Sequence, residues 1–455
     1  MSLTRTDSRA TAKNIADATS SACQPAAAEN ASPERAVHRV QSYFQSLGDT
    51  IAAELGEGRE AAFANLERVA MKQLAAFNPS AHIALNDLID YVLGAETLCK
   101  QADLDAKFAE PPVSLYRSGD FDISALIWLD GTTSIHQHSF CGAFHVMAGS
   151  SIHSRYRFDA WRSPTHMQRA IAGRLRLLDL EVLHAGDTRP ITFGSDLIHS
   201  LFHMVRPSVT IVIRTITGDT TNRVQYDYRW PGLAYDPFQR HAPTIRKLQY
   251  MRMLRAHDAD AAREHLQPML AGADLFLAGM LISEQTLQCG DLEQTRDLSA
   301  MCLALPAHER ELLFQTAHNN LLSRAIVRCR RKLHDPGHRY LLALLLNVFD
   351  RKELLRLVQR EFGGIDPVDQ VMRWVAEMTG NTERFPNVIG LDFKSTELRM
   401  LTSMFRGAGL DEVLTQFSDC YGATEVAKQR DDLSMLFAAL KNCALFHHIF
   451  EDLVG

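Results

Sequence analysis

The spacing of apolar residues changes twice along the chain. From 35 to 108 they recur every three or four residues, as in AVHRVQSYFQSLGDTIAAEL, which is the pattern of amphipathic helices. From 113 to 230, short runs rich in Val, Ile, Thr, Phe and Tyr are separated by Gly, Asp, Ser or Pro, which predicts strands. From about 240 to the end, segments such as ELLFQTAHNNLLSRAIV restore the helical spacing.

This order of elements predicts an α+β chain with two domains. Regularly spaced short strands are typical of a sandwich or barrel, and 455 residues are many for a single core. We therefore predict a disordered tail over 1–34, a helical lead-in with a β domain over 35–235, and an all-α domain over 240–455. The linker is placed near 231–243, and a longer insert at 159–172 interrupts the strands.

Composition excludes several function classes. The formal net charge of -6 argues against general nucleic-acid binding, which needs a concentrated positive field. No run approaches the roughly 18 consecutive apolar residues of a membrane-spanning helix. The eight cysteines are scattered without a C-x-x-C pair, and the N-terminus lacks the apolar stretch of a secretory signal. We therefore expect a cytoplasmic protein with reduced thiols that binds neither nucleic acid nor a membrane.

Histidines in the β region give the clearest chemical signal. His136 and His138 lie two residues apart in a predicted strand, so their side chains share one face. A second segment, GDTRPITFGSDLIHSLFH, contains His199 and His203. Strands that are distant in sequence can lie side by side, so one more histidine could complete a three-ligand site. Neutral imidazoles are good ligands for Fe, Zn, Cu and Ni.

The two histidine segments resemble the two cupin motifs. The first motif, G-x(5)-H-x-H-x(3,4)-E-x(6)-G, is matched, with one residue fewer before the first histidine, by Gly131, His136, His138 and Gly149. The second motif is matched, with stretched spacing before its first histidine, by Gly186, His199 and His203.

Longer stretches resemble the cysteine dioxygenase-like cupins in particular. PPVSLYRSGDFDISALIWLDGTTSIHQHSF is similar to the segment that opens those domains, where helices come first and an arginine-bearing strand precedes S-I-H-x-H. FGSDLIHSLFHMVRPSVTIVIRT is similar to the later segment that contains their third metal ligand. The resemblance covers about 37–220 and implies a cupin-type β-barrel or jelly roll. Nothing comparable covers the C-terminal half.

The resemblance also implies a metal and an activity. Residue by residue, the ligands would be His136, His138 and His199, the ion Fe(II), and the co-substrate dioxygen. Three neutral ligands leave the +2 charge uncompensated and several coordination positions open, which favours a chelating anionic substrate. The implied function is that of a mononuclear non-haem iron oxygenase.

The sequence departs from the family pattern in two ways. In ordinary cupin motifs a glutamate follows the second histidine after three or four intervening residues. Counted from His138, that position falls on Gly142 or Ala143, so no glutamate is available. Cys141 stands one residue too early for the cysteine that some thiol dioxygenases crosslink, and 214–217 has no partner tyrosine. We therefore predict no Cys–Tyr crosslink, and we do not expect cysteine itself to be the substrate.

Candidate substrate-binding residues are Arg117, Arg214 and Cys141. Arg117 lies on the strand where the family keeps a carboxylate-binding arginine, and Arg214 lies on the strand predicted opposite. Guanidinium groups bind carboxylates through paired hydrogen bonds. The predicted substrate is therefore a small molecule with a carboxylate or amino-acid group, and a thiol is a further option.

Candidate catalytic residues are His145 and His203. If Gly142 begins the inward-facing series of its strand, His145 faces away from the site; if Ala143 does, His145 joins the site as a base or a ligand of a second metal. His203 follows His199 on the same segment. It would fix the orientation of a metal-binding residue without binding the metal itself.

Two other functions stay open at this point. A non-redox metalloenzyme, an isomerase or lyase, would use the ion as a Lewis acid, although such cupins normally keep the glutamate. A non-enzymatic protein would bind a small ligand in its β domain and a partner with its helices. The C-terminal helices would cover the barrel mouth, form a homodimer surface or meet another protein.

Overall fold

The computed structural model describes most of the chain from residue 33 onward. The described residues are 33–56, 58–102, 104, 108–129, 133–162, 169–216, 224–238, 241–290, 292–380, 382–385, 387, 389–443, 445–450 and 452–454. The tail predicted over 1–34 lies outside them except for its last two residues, which begin the first helix, and Gly131 also lies outside. The chain divides into two compact units, with the boundary between Ile245 and Arg246.

The first unit opens with helices. They are α1 (Pro33–Leu55), α2 (Arg59–Phe77), α3 (Pro79–His82) and α4 (Leu85–Gly94). Along α1, buried residues recur at the predicted three- and four-residue spacing: Val40, Phe44, Leu47, Ile51 and Leu55. This stripe packs against one face of the β region in a shared hydrophobic core.

The described strands of the β region form two antiparallel sheets. The strands are β1 (Pro112–Arg117), β2 (Phe121–Trp128), β3 (Ile135–His138), β4 (Gly142–Ala148), β5 (Ser150–Ala160), β6 (Ala170–His184), β7 (Thr188–Ile191), β8 (Gly194–His203), β9 (Ser208–Thr215), β10 (Asp227–Arg229) and β11 (Leu233–Tyr235). One sheet is open, in the order β1-β2-β9-β4-β7. The other closes into a barrel, in the order β10-β11-β6-β5-β8-β3.

The open sheet is buried on both faces. Ile123 of β2 and Ile211 of β9 pack with the N-terminal helices. Leu126 and Val212 of the same strands belong to a second core, together with Phe144 of β4. Successive side chains of a strand point to opposite faces, so one sheet supplies both cores. The second core borders the barrel strands β3 and β8, and the candidate site lies there.

The second unit is helical in its described residues. The boundary falls within the first turn of α5 (Ala242–His257). The helices that follow are α6 (Ala259–Ala271), α7 (Leu275–Cys289), α8 (Leu292–Ala300), α9 (Ala307–Arg330), α10 (Pro336–Asn347), α11 (Arg351–Glu361), α12 (Pro367–Thr379), α13 (Ser395–Arg406), α14 (Leu410–Tyr421), α15 (Ala423–Lys428), α16 (Arg430–Lys441) and a 3₁₀ turn, His447–Ile449. Aspartate side chains accept the free backbone N–H groups where several of these helices begin: Asp258, Asp274, Asp335, Asp350 and Asp366.

The predicted fold class is confirmed. N-terminal helices precede a β domain with a closed barrel, and a helical unit follows. The placement of the linker is wrong in part, because 231–243 contains β11, which pairs with β6 and β10 in the barrel. The insert predicted at 159–172 is also shorter than expected, since β5 runs to Ala160 and β6 starts at Ala170.

Two further observations concern the helices and the cysteines. None of the helices in the described ranges is both long and apolar enough to cross a membrane. Each cysteine whose side chain is described is a free thiol: Cys99, Cys141, Cys302, Cys329, Cys420 and Cys443.

Candidate metal centre and substrate cavity

Strands β3 and β8 bring the three predicted metal ligands together. The two strands are antiparallel, and His136 lies opposite His199. The alternation of β3 places His138 on the same face, beyond an irregularity in the pairing. All three side chains are buried, and one ligand nitrogen from each lies within 4.8 Å of the others.

The geometry fits a single metal ion. His138 Nε2 and His199 Nε2 are 2.8 Å apart. Nitrogen ligands bind such ions at about 2.0–2.1 Å, so two ligands at a right angle lie about 3 Å apart. The Nδ1 of His136 is 2.7 Å from the Ser134 carbonyl, and its Nε2 is buried without a hydrogen-bond partner. An ion would satisfy that orphaned nitrogen.

The electrostatics of the cluster favour neutral imidazoles. Burial lowers the pKa of His138 and His199 well below the ordinary value, and the neighbouring histidines lower it further. Burial also lowers the pKa of His136. A metal ion binds the deprotonated nitrogen, so few protons compete with it at neutral pH.

A series of hydrogen bonds holds the His199 ring on the side that faces away from the metal site. Its Nδ1 lies 2.9 Å from His153 Nε2, and His153 Nδ1 lies 3.1 Å from Glu181 Oε1. Arg189 holds the same carboxylate through Nε at 2.9 Å and Nη2 at 2.6 Å. Hydrogen bonds from His153 and from Arg189 lower the pKa of Glu181 to about 2.

This relay fixes the orientation of the third ligand. An ionised Glu181 accepts the Nδ1 proton of His153, whose Nε2 then accepts the Nδ1 proton of His199. That arrangement leaves the Nε2 lone pair of His199 directed at the metal site. No sequence motif points to His153, Glu181 or Arg189.

A cavity lies beside the histidine cluster, between the open sheet and strands β3 and β8. Its enclosed volume is about 40 Å³, and the space becomes roughly 500 Å³ when the open mouth and the adjoining solvent are included. The three ligand histidines line it, together with Arg214 and a mostly apolar wall. The aromatic part of that wall consists of Phe108, Trp128, Phe140 and Phe144.

The two predicted arginines share one buried carboxylate. Arg117, Asp122 and Arg214 are aligned across β1, β2 and β9. Arg117 Nη1 is 3.6 Å from Asp122 Oδ2, and Arg214 Nε is 3.7 Å from Asp122 Oδ1. Arg214 lines the cavity, whereas Arg117 does not. The structure therefore brings only one of the two to the candidate substrate site.

The start of β4 shows which of Gly142 and Ala143 begins the inward-facing series of the strand, a choice that the sequence left open. Phe144 lines the cavity, so the inward-facing series is Gly142, Phe144 and Val146. At Gly142 an added Cβ would lie 1.9 Å from the carbonyl oxygen of Ile213. A glutamate at this position would require β9 to move. The backbone itself thus excludes the carboxylate of ordinary cupin motifs.

The catalytic role predicted for His145 is not supported, because His145 lies on the opposite face of β4. Ala143 and Met147, two residues to either side, pack in the core shared with the N-terminal helices. The His145 Nδ1 is 2.8 Å from Thr188 Oγ1, and its Nε2 accepts a hydrogen bond from Ser80 N at 3.3 Å.

Cys141 and His203 also lie away from the cavity wall. Cys141 precedes β4, and its thiol donates to the Phe63 carbonyl of α2 at 3.1 Å, so its predicted role in substrate binding has no support. His203 shares a strand face with His199, and its Nδ1 is 2.8 Å from Ser151 Oγ. The centre of its ring lies 4.7 Å from that of Trp128, a residue of the cavity wall, and the two rings are stacked.

The burial of His145 predicts a pH-dependent stability. Burial lowers its pKa from the ordinary 6.5 to about 4. The unfolded chain therefore binds protons first, and this contribution to stability, complete above pH 6.5, is lost as the pH falls toward 4. Between pH 6.5 and 4 the free energy of unfolding should fall less in His145→Gln than in the wild type, by roughly 1–3 kcal/mol. Denaturant titrations at several pH values measure this difference. The exposed His184→Gln should follow the wild type; equal curves for all three proteins would contradict the prediction.

Comparison with known proteins adds only distant structural similarity. No family model and no curated protein matches the chain. The DMSP lyase DddQ from Ruegeria pomeroyi DSS-3 is 15% identical over 41% of this chain and 95% of its own, with a TM-score of 0.22. An oxalate oxidase is 15% identical over 38% and 80%, with a TM-score of 0.19.

A third similar structure is hydroquinone 1,2-dioxygenase PnpCD in complex with Cd²⁺ and 4-hydroxybenzonitrile. It is 15% identical, and the match covers 23% of this chain and 63% of that chain, with a TM-score of 0.19. The three solved structures are thus a lyase, an oxidase and a dioxygenase. At these TM-scores they support no choice among those activities.

Proposed function

We propose that the first unit is a mononuclear non-haem iron oxygenase of the cupin type. Fe(II) would be held by His136, His138 and His199, with dioxygen as co-substrate and a small carboxylate-bearing molecule as substrate. The main support is the convergence of three buried, neutral imidazoles beside a cavity, one of them with an orphaned Nε2. When bound, Fe(II) would supply the one-electron chemistry that dioxygen activation requires.

The ligand cluster contains no carboxylate from the described part of the chain, and this separates the proposal from a non-redox metalloenzyme. Metal sites that act as Lewis acids in ordinary cupins keep the glutamate, and here Gly142 leaves no room for one. Three neutral ligands leave the full charge of the ion available to an anionic substrate. The sequence resemblance to three-histidine iron proteins favours iron over zinc or nickel.

The protein's own residues have three tasks in this proposal. Arg214 pairs with the substrate carboxylate at the cavity wall. The aromatic wall excludes water from the space next to the ligands. The relay through His153 and Glu181 holds the ring of His199 in one orientation, so the site is prepared before substrate arrives.

Metal analysis tests the proposal directly. Protein purified without oxygen should contain about one iron per chain, as expected for one cluster of three ligands. Oxygen consumption should then begin when a carboxylate substrate is added. Stoichiometric zinc or nickel with turnover in the absence of oxygen would contradict the oxygenase and support an isomerase or lyase.

A further inference from the structure

The cavity wall indicates what kind of acid the site accepts. We infer that the substrate is an aromatic monocarboxylate without a free amino group. This inference rests on the proposed function for the role of the metal. It narrows the sequence-based expectation, which also included amino acids.

The apolar wall of the cavity favours a substrate that contains an aromatic ring. Besides the four aromatic side chains, the aliphatic side chains of Leu126, Leu201 and Val212 line the cavity. Burying a flat apolar group against such a wall removes both surfaces from water, and aromatic rings add favourable edge and face contacts. A short aliphatic acid would leave much of this surface wet.

The charged residues near the cavity favour a substrate with a single carboxylate. The row formed by Arg117, Asp122 and Arg214 contains two guanidinium groups and one buried carboxylate, so its net charge is about +1. Ser124 Oγ also donates a hydrogen bond to Asp122 Oδ1, whereas Oδ2 accepts no hydrogen bond from the described residues and has only the ion pair with Arg117. Of the row, Arg214 is the member that lines the cavity, so the excess positive charge faces the substrate.

The position of Phe140 connects the carboxylate end to the metal end. The Arg214 guanidinium lies 5.6 Å from the centre of the Phe140 ring. The ring centre of His138 lies 4.5 Å from the same ring. A substrate whose carboxylate contacts Arg214 would therefore lay its apolar body along Phe140, next to the ligand cluster.

A substrate ammonium group would have no charged partner. Among the described residues, no carboxylate lines the cavity. Its uncharged polar groups outside the histidines are the hydroxyls of Ser124, Thr133 and Thr210 and the indole N–H of Trp128, which can only donate. An ammonium group would also be repelled by Arg214 and by a divalent ion. Burying an unpaired charge is strongly unfavourable, so the site should reject amino acids.

Four probes separate these requirements in the full-length protein. They are 3-phenylpropanoate, its neutral amide, L-phenylalanine, which adds an ammonium group, and propanoate, which lacks the ring. Titration calorimetry with the Zn(II)-loaded protein should give 3-phenylpropanoate an affinity at least about tenfold higher than each of the others, the effect of one lost charge pair or ring. Equal or tighter binding of L-phenylalanine or of propanoate would overturn the inference.

Two variants show whether Arg214 supplies the charge. Arg214→Gln should bring the ratio of acid to amide affinity close to one. Arg155→Gln removes the same charge from an exposed ion pair with Asp179 on the barrel and should keep the wild-type ratio. An unchanged ratio in Arg214→Gln, with the protein folded by circular dichroism, would overturn the assignment.

The probe measurements stand apart from the test of the oxygenase. The selectivity is measured with a redox-inert ion, and again with metal-free protein, where the acid-to-amide ratio should remain above one. If the protein binds no iron yet prefers the aromatic acid, the proposed function fails and the cavity assignment stands. If iron and oxygen consumption are found but L-phenylalanine binds best, the substrate class is wrong and the oxygenase stands.

Discussion

Replacing His199 with alanine should abolish stable metal binding by this protein. The ring of His199 is one of three that converge, with its Nε2 2.8 Å from that of His138. Two neutral nitrogens hold a divalent ion far more weakly than three, and we expect the affinity to fall by more than about 100-fold. Competition with a chromophoric chelator measures this change, and metal content after dialysis confirms it.

The matched control is His184→Ala. His184 is exposed on β6 of the same unit and lies outside the ligand cluster. Its variant should keep the wild-type affinity. Circular dichroism of both metal-free variants separates loss of the ligand from loss of the fold. One metal ion per chain in folded His199→Ala, at wild-type affinity, would remove this residue from the ligand set.

The two-residue spacing of His136 and His138 was enough to predict a shared strand face. Alternation along a strand is a local property, so it can be read from the sequence alone. His199 is different, because it lies opposite His136 only through the pairing of β3 with β8. No local pattern encodes that pairing, and only the resemblance to the cupin motifs pointed to this residue.

The positions of His145 and Cys141 outside the cavity wall are determined at the turn before β4. The alternation of a strand is fixed, but its phase depends on the residue at which the strand begins. The strand starts at Gly142, so Phe144 faces the cavity and His145 faces the helices. Cys141 precedes the strand and its thiol contacts α2 instead. The sequence left this one-residue choice open.

The relay was missed because its members come from separate strands. His153 lies on β5, Glu181 on β6 and Arg189 on β7, and none has a motif of its own. One local signal existed: in β5 a histidine stands among buried neighbours, with Ile152 and Ser154 on either side. A buried histidine needs partners for both ring nitrogens. Those partners became visible only with the tertiary pairing.

The relay leads to the second large expected effect. His153→Phe should lower the affinity for the metal by about 10- to 100-fold, although His153 is not a ligand. Phenylalanine preserves the ring shape but removes the acceptor for the Nδ1 proton of His199 and the donor to Glu181. His199 would then lose its fixed orientation, and its Nε2 would no longer be held toward the ion.

A spectroscopic measurement distinguishes positioning from simple loss of stability. In the Co(II)-substituted protein, the visible absorption bands report the ligand field at the ion, so His153→Phe should shift them as well as weaken binding. Glu181→Gln keeps a hydrogen-bond acceptor but removes the charge, so its effect should have the same direction and a smaller size. Chemical denaturation of the metal-free proteins measures any change in folding free energy separately.

The control for the carboxylate is Asp179→Asn. Asp179 lies on the same strand as Glu181 but forms an exposed ion pair with Arg155. Its variant should bind metal as the wild type does and give the same Co(II) spectrum. If His153→Phe also keeps the wild-type affinity and spectrum, the hydrogen bond from His199 does not position the ligand. The site would then depend on the packing of the three rings alone.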